Sequence, residues 1–149
     1  MENSNDRYHQ SFFRFEDLRL YHKSIEYNNW VQNNVSYFSE DVKLTLVVPF
    51  VRASQAIIMG IAEGSSRHRL NFAYFLNLSK TSIRECVVYT SIAKELGYFT
   101  QEQEEESRKH LMEMTKMTGA LIVSLSRTDE ERANYHANLK HKGDIEFED

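Results

Sequence analysis

The stretch Val42-Lys43-Leu44-Thr45-Leu46-Val47-Val48-Pro49-Phe50-Val51-Arg52-Ala53-Ser54-Gln55-Ala56-Ile57-Ile58-Met59-Gly60-Ile61-Ala62-Glu63-Gly64 decides the fold. Val42, Leu46, Phe50, Ala53, Ile57 and Ile61 recur in steps of three and four, which places them on one face of a helix. Val47, Val51, Ser54 and Ile58 widen that face, so this helix is expected to be the most buried. Ser39, followed by Glu40 and Asp41, reads as an N-cap with acids in the first turn. Pro49 has no N–H to donate and its ring crowds the Thr45 carbonyl. Either the helix kinks there or it begins near Val48, and the unbroken phase of the stripe favours the kink. Gly64 reads as a left-handed stop, with Ser65 or Ser66 capping the next helix.

Three further helical periods flank this one. Leu18, Tyr21, Ile25, Asn28, Val31, Val35 and Phe38 share a face before it. Tyr27 and Trp30 fall off that stripe, which leaves two readings open: a subunit contact, or a bundle too wide for a single stripe. Beyond Gly64 the third helix reads Phe72, Phe75, Leu76, Ser79, Ile83, Cys86, Val87, Thr90 and Ala93, closed by Gly97. Thr100 and Gln103 form a capping-box pair with Glu102 and Glu104 in the first turn of a fourth helix. That helix reads Leu111, Met114, Thr118, Leu121, Ile122 and Leu125. Tyr37 and Phe38 in one connection, and Tyr98 and Phe99 in another, are expected to cap the two ends of the bundle. The predicted fold is all-α, an antiparallel up-down-up-down four-helix bundle over residues 13–127. Residues 1–12 read as a flexible arm and 128–149 as an acidic, disordered tail.

Composition agrees with this. One Pro and five Gly in 149 residues leave too little punctuation for a β-sandwich. A single Cys excludes a disulfide framework and a cysteine-based zinc site. Net charge is −4. Residues 1–100 carry 11 Lys and Arg against 10 Asp and Glu, whereas residues 101–149 carry 7 against 12. A whole-chain nucleic-acid footprint would be basic, so only a local patch remains open. No apolar run is expected to approach the ~20 residues a membrane span needs, and the polar start is not read as a signal peptide. The expected setting is cytoplasmic, with no membrane association.

Arg52-Ala53 followed by Ile61-Ala62-Glu63-Gly64 resembles the family of bundle proteins encoded by intervening sequences in bacterial 23S ribosomal RNA genes, the S23 family. Phe15-Glu16-Asp17-Leu18, Tyr21 and Lys23-Ser24 are similar to its opening helix. Phe72, Phe75-Leu76, Ser82, Glu85 and Ala93-Lys94-Glu95-Leu96-Gly97-Tyr98 are similar to its third. The chain departs from the family at Ile58 and Gly60, where members usually carry Pro and Asn. The family is similar in fold to the accessory protein of diversity-generating retroelements, a basic ring of five subunits that binds its reverse transcriptase and nucleic acid. The resemblance implies a non-enzymatic bundle that forms a homo-oligomer, with a pentamer suggested.

Candidate chemistry is sparse. None of the six histidines follows a Glu by three residues, so the Glu-x-x-His pattern of a di-iron bundle is missing. Glu106 with His110, and His22 with Glu26, read as surface pairs. No metal or other cofactor is expected. Cys86 lies on an apolar stripe and reads as a small inert hydrophobe, and no other residue is a catalytic candidate. Glu63 stands at the negative end of its helix dipole and needs a cationic partner, with Arg67, Arg69, Lys80 and Arg84 as candidates. It is either a structural ion pair beside Gly64 or a ligand-facing acid. Arg67 and Arg69 open the third helix, and Lys80 and Arg84 recur near the phase of Arg69. With Arg52 they form a candidate strip for RNA or DNA phosphates, the alternative to a solvated face on a structural or adaptor protein.

Overall fold

The structure, a computed structural model, describes residues 11–125, 133–134 and 136–140. The N-terminal arm and acidic tail lie largely outside these residues. Among the described residues the chain is all-helical: α1 Arg19–Val35, α2 Val48–Ser65, α3 Arg69–Glu95 and α4 Gln101–Leu125. A short 3-10 turn, Arg14–Asp17, precedes α1.

Cross-contacts fix the helix directions. Tyr27 meets Ser107 while Lys23 meets Glu113, so α1 and α4 run in opposite senses. A Cβ on Gly60 would meet Ser79 and one on Gly64 would meet Phe72, so α2 opposes α3. The start of α1, the end of α2, the start of α3 and the end of α4 therefore share one end of the bundle.

Pro49 acts differently from the favoured kink. Regular α-helix begins at Val48, with Pro49 in its first turn, where a missing N–H costs nothing. Ahead of it, Glu40–Val42 form a 3-10 turn and Lys43–Val47 a π-helical turn. The wider π turn moves the carbonyls that the ring would otherwise strike. Ser39 caps the 3-10 turn by accepting from the Asp41 N–H. The whole stretch Glu40–Ser65 is long and apolar enough, by length and composition, to cross a membrane. The expectation that no apolar run approaches this length is corrected by it, although Arg52 and polar residues divide the stretch. Phe50, Ala53, Ile57 and Ile61 of this stretch are buried in the bundle core.

The stop at Gly64 is also corrected. Its φ is not positive; among the described residues only Gly97 has a positive φ, of 81°. Helix α2 runs on to Ser65, and Ser65 and Ser66 bond back to the Ala62 and Glu63 carbonyls rather than capping α3. Gly64 is there for space: an added Cβ would lie 2.7 Å from the Phe72 ring. Gly97 and the Thr100–Gln103 capping box stand as read, the Thr100 N–H reaching Gln103 Oε1 at 2.9 Å and the Gln103 N–H reaching Thr100 Oγ1 at 3.2 Å.

The inner face of α1 is Leu20, Ser24, Tyr27, Val31 and Val35. Tyr27 is fully buried, and Trp30 stacks on it and meets Phe99 edge-on. Tyr27 belongs to the core, and Trp30 packs against that core while staying half-buried. The aromatic caps occupy one end, not two: Phe38 stacks on Tyr98 with centroids 4.7 Å apart and also meets Phe99. Two connections arrive at that end, which is why the aromatics of both converge.

Candidate interaction surface

The five cations of the predicted strip do not form one corner. Arg67, in the α2–α3 connection, is bound to Glu63 through its guanidinium, with Nε at 3.2 Å from Oε1, and lies over the Phe75 ring at 5.4 Å. Glu63 thus has the structural pairing that its place at a helix C-terminus demands. The pair is half-exposed, so it contributes no more than about 0.5 kcal/mol. Arg69, Lys80 and Arg84 fall within about 60° around α3 and extend roughly 22 Å along it. Arg69 and Arg84 are exposed and make no ion pair among the described residues. Arg52 stands apart on α2, about 16 Å along the axis from Glu63.

Arg52 instead lines an open groove of about 1070 Å³ on the outer side of α2. One wall is Phe12, Phe13 and Phe15, set across α2 by the 3-10 turn; the floor is Met59, Phe75 and Leu78. Arg14 and Arg52 also line it, and both are exposed. Phe12 is 92% and Met59 66% exposed, so the groove offers large apolar side chains directly to solvent. Sequence reading missed it, because the groove exists only once residues 12–15 fold back on α2.

A second exposed apolar feature runs along α3. Leu70, Tyr74, Leu78, Val88, Ile92 and Leu96 are all exposed. At 100° per residue they fall within about 80° of arc beside the basic strip, Val88 standing one turn beyond Arg84. Exposed Thr81 and Glu85 divide this arc into two apolar patches, Leu70 to Leu78 and Val88 to Leu96, and an exposed apolar patch marks an interface.

The interior carries a polar chain. The Tyr27 hydroxyl lies 2.8 Å from Ser107 Oγ, which lies 2.7 Å from Thr90 Oγ1, and Thr90 donates to the Cys86 carbonyl at 2.7 Å. Each hydroxyl has one proton, so the order of donation is Tyr27 to Ser107 to Thr90 to Cys86. Burial pushes the Tyr27 phenol far above its ordinary value. Burial, assisted by the Glu85 carboxylate, pushes the Cys86 thiol up to about 12. A thiol so placed is neutral and shielded, the opposite of an activated nucleophile. His110 leans on the Tyr27 and Trp30 rings, and Glu106 accepts from Trp30 Nε1 at 2.9 Å, so these two bind the aromatic cluster rather than each other. Among the described residues no three His, Cys, Asp or Glu are grouped to hold a metal ion.

These features define an all-α helical bundle whose apolar core is crossed by one buried hydroxyl chain and whose surface also carries apolar patches. The chain belongs to the family of 23S rRNA-intervening sequence proteins, whose model matches residues 16–120. A 1.70 Å crystal structure of a protein of unknown function from the S23 ribosomal protein family of Bacteroides thetaiotaomicron VPI-5482 is similar in fold. The two share 21% identity with a TM-score of 0.64, over 69% of this chain and 94% of that one. No curated protein matches the chain.

Proposed function

We propose that this chain is a non-catalytic, cytoplasmic helical bundle that associates with copies of itself and serves as a structural or adaptor component. The apolar stripe on α3 carries this reading. Leaving six large apolar side chains along one helix in water forfeits burial worth about 1.5–3 kcal/mol for each that could be fully covered. A closed, symmetric assembly of identical chains would recover that burial. The resemblance to a five-subunit ring makes a pentamer the stoichiometry to test. Light scattering coupled to size exclusion should give a mass of several subunits; a monomer's mass at micromolar concentration would overturn the reading.

A second reading keeps Arg69, Lys80 and Arg84 as contacts for RNA or DNA phosphates. It is supported by their common flank on α3 and by the solvent exposure of Arg69 and Arg84.

A further inference from the structure

The groove on α2 has a chemistry that specifies its occupant. Its lining is mostly apolar and aromatic and includes two exposed arginines. Among the described residues neither Arg14 nor Arg52 makes an ion pair. The one acid in the lining, Glu63, is already neutralised by Arg67. A complementary ligand therefore alternates apolar and acidic groups and is narrow enough to lie along a helix.

The chain contains such a segment, Asp144-Ile145-Glu146-Phe147-Glu148-Asp149. In an extended strand successive side chains point to opposite sides, so Ile145 and Phe147 face one way while Glu146 and Glu148 face the other. Laid in the groove, the first pair meets Met59, Phe75 and Leu78, the acids stay on the solvent side, and the long exposed side chains of Arg14 and Arg52 reach out to them. Geometry permits the approach. Helix α4 ends at Leu125, at the same end of the bundle as the groove. The linking residues 126–144, even with a helical stretch at 136–140, reach roughly 45 Å. Crossing the bundle requires about two helix diameters, roughly 20 Å.

We propose that the groove formed by residues 12–15, α2 and the start of α3 is the docking site for the chain's own segment Asp144–Asp149. Docking covers the aromatic wall and Met59 and leaves most of the α3 stripe open, so it is separable from self-association.

The test uses the full chain carrying Asp149→Cys, modified with a nitroxide; buried Cys86 stays unmodified. Methionine methyl groups are followed by NMR, with Met59 in the groove and exposed Met112 on α4 as the reference. The Met59 signal is expected to lose more than about half its intensity while Met112 is spared, because a tethered segment acts at an effective concentration near millimolar. Arg14→Glu together with Arg52→Glu, or Phe147→Ser alone, should restore it; Phe147 lies outside the described fold, so that variant cannot fail through misfolding of the bundle. Equal broadening of both methyls, or none at Met59, overturns the proposal, as does broadening that survives these variants. Mixing nitroxide-bearing chain with a separate methyl-labelled chain gives no broadening if docking is intramolecular. Broadening in the mixture assigns the groove to a neighbouring copy's segment and overturns the proposal as well, while leaving the self-association reading standing.

Discussion

Gly60 lies so close to Ser79 that a Cβ added to it would stand 2.2 Å from the serine Oγ and 3.0 Å from the Phe75 carbonyl oxygen. Ser79 is fully buried and donates to the Ile57 carbonyl at 3.0 Å, so it is tied to α2 at the same point. Gly60→Ala should gain about 1 kcal/mol of helix propensity and lose about 1–3 kcal/mol to overpacking, a net destabilisation. Adding Ser79→Ala removes the nearest atom and should recover part of the loss. Urea denaturation of the two single variants and the double variant measures this; a Gly60→Ala midpoint at or above wild type would show that the helices can part freely here.

The direction of the buried hydroxyl chain makes its two ends unequal. Ser107→Ala leaves the Tyr27 hydroxyl buried with its donor unmet, which costs about 1–3 kcal/mol. Tyr27→Phe only removes a bond that Ser107 accepted, and should cost nearer 1 kcal/mol. Equal losses in a denaturant series would mean the protons run the other way.

The same interior sets an alkaline limit. Burial raises both Cys86 and Tyr27, so the folded chain holds these protons where the unfolded chain releases them. The unfolded state then binds fewer protons, and stability falls as pH rises. For Cys86 the contribution is complete below its ordinary value near 9 and is lost progressively up to about 12. The slope approaches about 1.4 kcal/mol per pH unit for one such group. Cys86→Ala should be less stable at pH 7 yet show a shallower decline between pH 9 and 11, read from denaturation midpoints. An unchanged slope would remove Cys86 from the account.

Much of this was readable in the residues, and the failures share a cause. The helix spacing, Gly97 and the Thr100–Gln103 box depend on neighbours in sequence, and they stand. The expected α1 stripe, drawn through Tyr21, Ile25 and Asn28, lies beside the buried face of Leu20, Ser24 and Tyr27 in the first half of the helix, because small Ser24 bonds to the Tyr21 carbonyl and Tyr27 to Ser107, which lets both face inward. Gly64 was read through its backbone freedom, whereas its role is set by the Phe72 and Phe75 side chains on another helix. Phase along one helix groups Arg69, Lys80 and Arg84, but it cannot see that Arg52, on another helix, lines a groove walled by residues 12–15.

The α3 stripe yields a direct check on assembly. Val88 and Ile92 are exposed in the single chain, so Val88→Glu with Ile92→Glu should leave the fold intact. Placing two carboxylates in a desolvated subunit contact costs several kcal/mol, enough to dissociate it. Size exclusion with light scattering should then report a single subunit's mass with unchanged helical circular dichroism. An assembly of wild-type mass would move the interface off α3.

Nucleic-acid contact, if it occurs through Arg69, Lys80 and Arg84, has a defined salt signature. Three phosphate contacts on a single strand give a slope of about −2 in log affinity against log salt. Arg69→Glu with Arg84→Glu should reduce that slope to about −0.7 or less in magnitude, the share of one remaining contact, and the exposure of both side chains keeps the bundle intact. Arg52→Glu, on the far side of α2's groove, should leave the slope unchanged, which separates the α3 flank from the groove. Fluorescence anisotropy of a labelled structured RNA between low and physiological salt reads all three. A flat wild-type line ends the phosphate reading and leaves the bundle's apolar surfaces as its means of interaction.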